Sequence, residues 1–444
     1  MSQIAGLQDF RQEGPPADIG AFQFPTGAMV FQHIFAGTTY ICAIRAGVRG
    51  WILIDYGADA RTVIQSAVNA VHDVFVAAGL YVLSGEILLN TYNTLRGEGI
   101  DVTILQMANG VFENCITAFS KSYVFVRHLT VDGLYPTNAR QGAPAGEDEC
   151  HQCGVVFRET SDGAIEHVKA INCPWNAIAL LGDSKRNLLF NCEVDNTGWH
   201  GIELWGTPPG ALEYPEYNDI YGCRVTNTTV TSFVLENNAY YNTIIASYAD
   251  TAANNQSLYI SFLSYENRVI GNRFQQVLRY DSVLHGGIIN DNILVGGIDV
   301  NDTDDIIITD NELEDNIDLN ATCDKIIIKD NNLRAGTIVV AAGATRIRIE
   351  DNEGYNPKGN IPTPYPVAAG YLTDSAAAQA FPTSNTNYTI TESPKFITIY
   401  GGTVTSISID GVATGLTSGS FFLKTGQILN VVWTGQPSSQ VYAV

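Results

Sequence analysis

The sequence predicts an all-β chain that coils into a right-handed parallel β-helix, with an N-terminal capping helix and a small C-terminal all-β module. Between about residues 165 and 352, alternating β-branched residues lead repeatedly into an asparagine that begins a turn. The clearest of these asparagines are spaced by 20, 19, 20 and 21 residues: Asn272, Asn292, Asn311, Asn331 and Asn352. A second short strand follows each turn without an intervening helix, which is typical of a coil of parallel strands. Asparagines stacked at equivalent corners can hydrogen-bond along such a coil.

A short amphipathic helix is predicted at residues 59–73. Its apolar positions recur at helical spacing. They are Val63, Ile64, Val68 and Val71. Such a helix would cover the open end of the coil, where an uncovered strand edge would otherwise invite aggregation.

Composition divides the chain into four predicted regions. Residues 1–50 form an N-terminal cap region with a strand-like run at 38–44, and residues 51–355 form the coil. Residues 356–385 are rich in Pro and Gly and predict a linker. Residues 386–444 alternate between apolar and polar residues with Gly turns, which predicts a small β-sandwich-like module. This module could cap the coil, bind glycan or trimerise.

The composition also limits which class of protein the chain can belong to. Of 444 residues, 45% are hydrophobic and 16% are charged, which describes a chain that buries a core rather than a disordered one. The sequence contains no run of 18 apolar residues, so it predicts no membrane span. The formal charge of −22 repels phosphate groups, so nucleic acid is not an expected partner. An acidic chain rich in Asn, Thr and Gly favours an extracellular or virion-surface location.

The segment after the predicted capping helix resembles a known superfamily. The helix is followed by VFVAAGLYVLSGEILL at 74–89 and by NTLRGEGIDVTIL at 93–105. This opening is similar to that of the pectate-lyase-like superfamily, which includes polygalacturonases, uronan lyases, mannuronan epimerases and phage tailspikes. The resemblance covers about residues 50–355 and is specific for the fold rather than for the chemistry.

The catalytic signatures of that superfamily are not met in this sequence. The Gly-His-Gly of polygalacturonases is approached only by Trp199, His200 and Gly201. Asp304 and Asp305 form an acidic pair that follows this segment, which is the wrong order. The Asp-Pro-His of the mannuronan epimerases is absent, and no arginine lies in a pectate-lyase motif. Any prediction of a site therefore depends on the residues themselves.

Alternate residues of the second strand in each turn face outward and predict a glycan-binding face. Ile202 and Leu204 are expected to face inward, so that Glu203 faces outward. Equivalent positions in later turns carry carboxylates, amides and aromatic rings, which suit the hydroxyls and apolar faces of sugars. The predicted substrate-binding residues are Trp199, Trp205, Tyr259, Asp299 and Asp318. A solvated polar face is the alternative interpretation.

Glu203 and Glu236 are the predicted catalytic carboxylates, and His200 is a third candidate. Adjacent turns lie about 4.8 Å apart and alternate residues of a strand about 6.7 Å apart, which places the two side chains roughly 8 Å from each other. That separation suits an inverting glycosidase, whose acid and base leave room for a water molecule. The sequence therefore favours hydrolysis of glycosidic bonds. For His200, the alternative is a turn residue held by its neighbours.

A long loop at 135–153 interrupts the early turns, and loops of this length are usually functional or disordered. Its acidic residues Glu147, Asp148 and Glu149 are weak candidate ligands for Ca²⁺, the alternative being a solvated acidic loop. No cofactor is required for the predicted hydrolysis. The Cys-His-Gln-Cys segment at 150–153 has zinc-like spacing without a second cysteine pair, so a local disulfide or free thiols are favoured.

Two other classes of function stay open on the sequence. A polysaccharide lyase or epimerase acting on uronans would need a base, such as His200 or a tyrosine, and a group that neutralises the uronate carboxylate. A virion or cell-surface spike that binds glycan, with or without hydrolysis, is the second class. Such spikes are obligate trimers, and a homotrimer is compatible with this chain. The outward Trp205 and Tyr259 argue against a purely structural β-solenoid.

Overall fold

A computed structural model gives the structure of the chain. It describes residues 27–35, 37–47, 50–140, 151–206, 214–251, 255–283 and 285–355, together with the strands of the C-terminal region from residue 386 onward. The chain divides into two compact units, Met1–Ile202 and Glu203–Val444, and each is described by itself.

The first unit consists of short strands and the helix α1, which spans Ala60–Ala70. Among the described residues, no helix has the length and apolar character needed to cross a membrane. The strands are β1 (Ala28–Phe35), β2 (Thr38–Gly47), β3 (Gly50–Gly57), β4 (Asp73–Val76), β5 (Gly79–Leu83), β6 (Ile87–Leu89), β7 (Thr94–Gly97), β8 (Thr103–Met107), β9 (Ile116–Phe119), β10 (Phe125–Asp132), β11 (Val155–Arg158), β12 (Ala164–Cys173), β13 (Ile178–Leu181), β14 (Leu188–Phe190) and β15 (Glu193–Thr197).

The second unit is built from strands of similar length. Its coil contains β16 (Ile202–Trp205, beginning at the last residue of the first unit), β17 (Asp219–Tyr221), β18 (Arg224–Thr228), β19 (Thr231–Glu236), β20 (Thr243–Ile245), β21 (Tyr248–Asp250), β22 (Gln256–Ser261), β23 (Tyr265–Ile270), β24 (Arg273–Phe274), β25 (Val277–Asp281), β26 (His285–Asn290), β27 (Ile293–Leu294), β28 (Ile298–Asn301), β29 (Ile306–Thr309), β30 (Glu312–Leu313), β31 (Ile317–Leu319), β32 (Ile327–Lys329), β33 (Asn332–Leu333), β34 (Ile338–Val340) and β35 (Arg348–Glu350).

The N-terminal strands form an antiparallel sheet that joins the coil. β1 pairs antiparallel with β2, and β2 with β3, while β1 also pairs in parallel with β4. The strand predicted at 38–44 is present within β2. The predicted boundary between the cap region and the coil, after residue 50, falls at the first residue of β3, which pairs with β2.

Helix α1 is shorter than the predicted 59–73 helix. Asp59 is its N-cap, because its Oδ2 atom accepts hydrogen bonds from the backbone N–H and the hydroxyl of Thr62 at 3.2 and 2.5 Å. The helix ends before Val71, which has an extended backbone, and Asp73 already begins β4. The apolar face is buried as predicted. Its buried residues are Ala60, Val63, Ile64, Ala67 and Val68.

Parallel strands recur once per turn in both units. In the first unit β6, β9, β11 and β13 are successive neighbours, and in the second unit β19, β22, β25, β28, β31 and β34 are. Asp299 pairs with Asp318, the residue 19 positions later, and Ile307 pairs with Ile327. The repeat length read from the sequence is therefore the length of one turn.

The predicted asparagine ladder is present in the second unit. The Oδ1 atom of Asn292 accepts hydrogen bonds from the backbone N–H of Asn272 at 2.9 Å and from its side-chain amide at 3.0 Å. The same two bonds link each later member of the series to the next: Asn292 to Asn311, Asn311 to Asn331, and Asn331 to Asn352. A second ladder that the sequence analysis misses runs through Asn218, Asn242 and Asn267.

The C-terminal strands form two antiparallel sheets. The strands are β36 (Thr386–Thr389), β37 (Lys395–Tyr400), β38 (Thr403–Ile409), β39 (Val412–Ala413), β40 (Gly419–Leu423), β41 (Ile428–Gly435) and β42 (Ser438–Ala443). One sheet has the order β36-β41-β38-β39 and the other β40-β37-β42. The all-β character predicted for residues 386–444 is confirmed. The predicted linker at 356–385 lies outside the described residues.

The cysteines in the described part of the chain are free thiols, and all of them are buried. They are Cys42, Cys115, Cys153, Cys173, Cys192, Cys223 and Cys323. Cys150 lies outside the described residues. The fold is therefore held by packing and hydrogen bonds in every turn that the structure describes.

Candidate functional site

The outward residues of β16, β19, β22, β25, β28 and β31 form one surface of the second unit, the second-strand face. The intervening residues point inward, and Leu258 and Ile260 of β22 are fully buried in this way. Strand register arranges the outward residues in two columns. The first column holds Val234, Tyr259, Arg279, Asp299 and Asp318, and the second holds Ser261, Asp281 and Asn301.

Glu203 lies on this face but is almost fully covered by its surroundings. Its neighbour Leu204 points inward, as predicted, and Glu203 is 5% exposed where the sequence analysis expects an open position. The backbone N–H of Gly206 donates to the carbonyl of Glu236 at 3.1 Å. This parallel pairing sets the half-buried Trp205 beside Glu236 on the next turn.

Glu236 ends β19 beside two hydroxyl groups. The Ser261 hydroxyl donates to Glu236 Oε2 at 3.5 Å. Burial raises the pKa of Tyr259, and the carboxylates of Asp281 and Glu236 raise it further. Tyr259 therefore keeps its proton at neutral pH.

Arg279 lies between two carboxylates on the same face. Its Nη2 atom is 3.2 Å from Asp281 Oδ2, and its Nε atom is 3.7 Å from Asp299 Oδ2. The Tyr259 hydroxyl also donates to Asp281 Oδ2 at 3.5 Å, and the Asn301 amide donates to Asp299 Oδ1 at 3.1 Å. These contacts hold donors and acceptors in place across successive turns, where sugar hydroxyls could bind them.

Asp318 extends this acidic row by one turn. It pairs in register with Asp299. Burial raises the pKa of the Asp318 carboxyl, and the neighbouring carboxylates of Asp299 and Asp315 raise it further. Asp318 can therefore take up a proton more readily than an isolated aspartate.

Arg279 and Asp281 are functional candidates that the sequence analysis misses. They lie in β25, where Tyr280 takes an inward position that neighbouring turns fill with aliphatic residues, and this weakens the apolar pattern. The repeat length is the signal that could have found them. Leu278 lies 20 residues after Leu258 and pairs with it in register.

Trp199 and His200 lie in the first unit, in an aromatic cluster with Trp175. The guanidinium carbon of Arg140 lies 4.0 Å from the ring centre of Trp175 and 3.9 Å from that of Trp199. The ring centres of Trp199 and His200 are 5.1 Å apart. The His200 backbone N–H donates to Asn176 Oδ1 at 3.2 Å, and its side chain is 7% exposed. A sugar that stacks on the Trp199 ring would thus compete with a cation–π contact.

Comparisons with known proteins identify the fold. No family model and no curated protein matches the chain. The solved structure of PfbA, a surface adhesin of Streptococcus pneumoniae, is 14% identical with a TM-score of 0.52, over 68% of this chain and 87% of the adhesin. The chain is a right-handed parallel β-helix. The expected resemblance to the pectate-lyase-like β-helix proteins is confirmed, and at this identity it concerns the fold alone.

Two phage proteins are also similar to this β-helix. The pre-mature bacteriophage phi29 gene product 12 is 14% identical with a TM-score of 0.47, over 67% of this chain. The match covers 51% of gene product 12, so this chain spans about half of its length. The enzymatically active domain of tailspike protein 2 from bacteriophage CBA120 is 11% identical with a TM-score of 0.44, over 100% of this chain and 83% of the tailspike domain.

Glu147, Asp148 and Glu149 lie outside the described residues, so Ca²⁺ binding by their loop stays a prediction. Within the ranges that the structure covers, no three His, Cys, Asp or Glu side chains are grouped closely enough to hold a metal ion.

Proposed function

We propose that the β-helix binds a polysaccharide along the second-strand face and hydrolyses its glycosidic bonds. The observation that carries the proposal is the arrangement of Trp205, Glu236 and Tyr259 on successive turns of this face, with Trp205 paired to Glu236 in one column and Tyr259 paired to Val234 in the other. It sets an aromatic ring beside a carboxylate and a hydroxyl donor, which are the groups that a pyranose ring needs for stacking and hydrogen bonding.

Glu203 and Glu236 are the proposed acid and base. One carboxyl protonates the leaving glycosidic oxygen, while the other carboxylate takes a proton from a water molecule that attacks the anomeric carbon. The bond between that carbon and the leaving oxygen breaks, and two sugar ends with hydroxyl groups result. The diagonal offset between the two residues, roughly 8 Å from strand geometry, supports this division of roles.

The later turns of the second-strand face are proposed to position the chain of sugars. Asp299 and Asp318 can accept hydrogen bonds from hydroxyls, and the Tyr259 hydroxyl can donate one in place of its 3.5 Å bond to Asp281. Arg279 is held by Asp281 and Asp299, so it is poorly placed to neutralise a uronate carboxylate. This contact supports hydrolysis of a neutral glycan over a lyase or epimerase reaction on uronans.

The first prediction tests this site by substitution of each carboxylate. We expect Glu203→Gln and Glu236→Gln each to lower the rate of hydrolysis by at least about 100-fold, because each removes one proton-transfer group. The measurement follows reducing ends and absorbance at about 235 nm on neutral and acidic polysaccharides, with and without Ca²⁺. New reducing ends without new absorbance identify hydrolysis rather than β-elimination.

Glu314→Gln is the matched control, since this exposed carboxylate lies off the second-strand face in the same unit. Its activity should equal that of the unmodified protein. Full activity in the Glu203 and Glu236 variants would contradict the assigned roles. New absorbance would instead support a lyase, with His200 as the next residue to substitute. If the folded protein cleaves no polysaccharide, the alternative of a glycan-binding spike is favoured.

We further propose that the protein meets its polysaccharide outside the cell or on a virion surface. The formal charge of −22 and the low content of Lys and Arg support a partner other than nucleic acid. Labelling of the intact source particle or cell with an antibody against the chain tests this location, and a signal only after lysis would contradict it.

A further inference from the structure

A cavity of about 380 Å³ lies on the second unit away from the second-strand face. Its lining residues lie on either side of the second asparagine ladder. Some directly precede a ladder asparagine, and the others are outward residues of the strands that follow it. The lining includes Tyr217, Tyr241, Asp219, Thr243, Glu266 and Arg268. None of these residues belongs to the proposed hydrolytic site, and the volume falls in the range of about 300–1,000 Å³ that is usual for small-molecule sites.

Two parallel tyrosine rings form one wall of the cavity. Tyr217 and Tyr241 have ring centres 5.1 Å apart and planes inclined by 4°. Both residues have left-handed backbones, with φ of 57° and 54°, which places their side chains one above the other at equivalent corners. They remain 52% and 39% exposed. An aromatic surface kept open in this way is available to the apolar face of a ligand.

Gly286 occupies the corner position that is equivalent to Tyr241, two turns later in the coil. Its φ of 61° is the left-handed conformation of the other corner residues, but it carries no side chain. An added Cβ would lie 3.0 Å from the carboxyl carbon of Glu266. The absence of a side chain therefore leaves room around the Glu266 carboxylate inside the cavity.

Three charged side chains of the cavity are available for a ligand. Asp219 and Arg268 both pair with Thr243 from successive turns, so they face the same side of the sheet. Both are exposed, as is Glu266. Within the part of the chain that the structure describes, none of the three forms an ion pair or a side-chain hydrogen bond. Arg268 offers donors and the two carboxylates offer acceptors.

We propose that this cavity is a second glycan-binding site, which holds one pyranose unit of a neutral glycan. The ring packs its C–H face against Tyr217 and Tyr241, and its hydroxyls donate to Asp219 and Glu266 and accept from Arg268. Two carboxylates and one guanidinium give the cavity a net negative charge, which disfavours binding of an acidic sugar. The site goes beyond the proposed hydrolysis and does not depend on it.

The test measures binding in a protein that cannot cleave its ligand. The full chain carrying Glu236→Gln is applied to a printed array of neutral oligosaccharides, and the strongest binder is then titrated by calorimetry. We expect Tyr217→Ala or Tyr241→Ala in this background to weaken that binding by at least about tenfold, because each removes a stacking surface. Arg268→Ala removes an exposed side chain with no internal partner, so it provides a variant whose fold should be intact.

Tyr92→Ala and Tyr123→Ala are matched controls. Their rings form a similar exposed stack in the first unit, with centres 5.3 Å apart, but do not line the cavity. Unchanged affinity in these controls, with loss in the Tyr217, Tyr241 and Arg268 variants, supports the second site. Equal binding by all variants overturns it, as does an array without any signal that depends on Tyr217. Loss of hydrolysis alone, with binding retained, would affect only the proposed function.

Discussion

Asp318 illustrates the energetic cost of placing a single carboxylate on the second-strand face. Its carboxyl pairs in register with Asp299, and Asp315 adds a further negative charge nearby. Because burial and these carboxylates raise its pKa in the folded protein, folding disfavours the ionised form. A residue retained at such a cost is a candidate for ligand binding rather than for stability.

Substitution of Asp318 should therefore stabilise the protein at neutral pH. The penalty is present above the raised folded pKa and vanishes as the pH falls below the unfolded value of 3.8. We expect Asp318→Asn to raise the free energy of unfolding by about 0.5 kcal/mol at neutral pH, a value that allows for solvent screening. The gain should disappear near about pH 3. Urea denaturation at the two pH values measures it.

The exposed Asp351→Asn serves as the control for the Asp318 variant and should change stability at neither pH. An equal gain at both pH values would show that the effect of Asp318→Asn does not come from ionisation. A loss of stability at neutral pH would show that the carboxylate makes a favourable contact.

At the scale of elements, the asparagine ladder connects the turns of the second unit. Asn311 is 1% exposed and donates its side-chain amide to the carbonyl of Ile289 at 2.9 Å and to Asn331 Oδ1 at 2.9 Å. Its Oδ1 atom accepts from the backbone and the side chain of Asn292. Each ladder residue therefore satisfies buried polar groups on both neighbouring turns.

Asn311→Ala should destabilise the β-helix strongly. It leaves the backbone N–H and one side-chain N–H of Asn292 buried without their acceptor, and it removes one of the two hydrogen bonds to Asn331 Oδ1, which costs about 2–4 kcal/mol. Thermal or urea unfolding of the purified variant measures the loss. Asn332→Ala is the matched control, because the neighbouring Asn332 points outward from the ladder, and it should cost less than about 0.5 kcal/mol. Equal losses in the two variants would contradict the special role of the ladder.

The elements differ in how far the sequence could predict them. The ladder positions were predictable because Asn272 and its equivalents recur at one turn per repeat. The helix was predicted to residue 73 because Val71 continues the apolar period, but pairing of Asp73 in β4 ends it earlier. β25 was not predicted because its inward position is occupied by an aromatic residue, Tyr280, where the neighbouring turns have aliphatic residues. Periodicity thus predicts where strands lie, while competition between elements sets where they end.

The candidate site was less predictable than the fold. Side-chain alternation correctly placed Trp205, Tyr259 and Asp299 on one face, since that follows from strand geometry alone. It could not show that Glu203 is covered, or that Arg279 lies between carboxylates, because both depend on contacts between turns that are distant in sequence.

At the scale of the whole molecule, the first unit exposes apolar residues that suit a subunit interface. β5 presents Leu80 and Val82 outward at 48% and 47% exposure, and β6 presents Leu88 at 44%. These strands are consecutive in the chain and belong to two different sheets of the coil. Contiguous exposed apolar patches often mark interaction surfaces. In the homotrimer that is compatible with the sequence, these side chains would be buried between subunits.

We expect the full chain in solution to have three times the mass of the 48.1 kDa monomer. Light scattering coupled to size-exclusion chromatography measures this mass. Leu80→Asp should lower it, because a charge placed in an apolar interface is strongly unfavourable. Asn109→Asp, at an exposed polar position of the same unit outside these strands, is the control. A monomer mass for the unmodified protein would exclude the homotrimer.

The buried thiols give the molecule a set of internal reporters. Burial raises the pKa of Cys42 to about 11 and raises that of Cys115, Cys173 and Cys323 as well, so little reactive thiolate forms in the closed protein. An alkylating reagent can reach each sulfur only when the strands around that cysteine unfold locally. Mass spectrometry of pulse-labelled protein would therefore record, turn by turn, the order in which the coil comes apart.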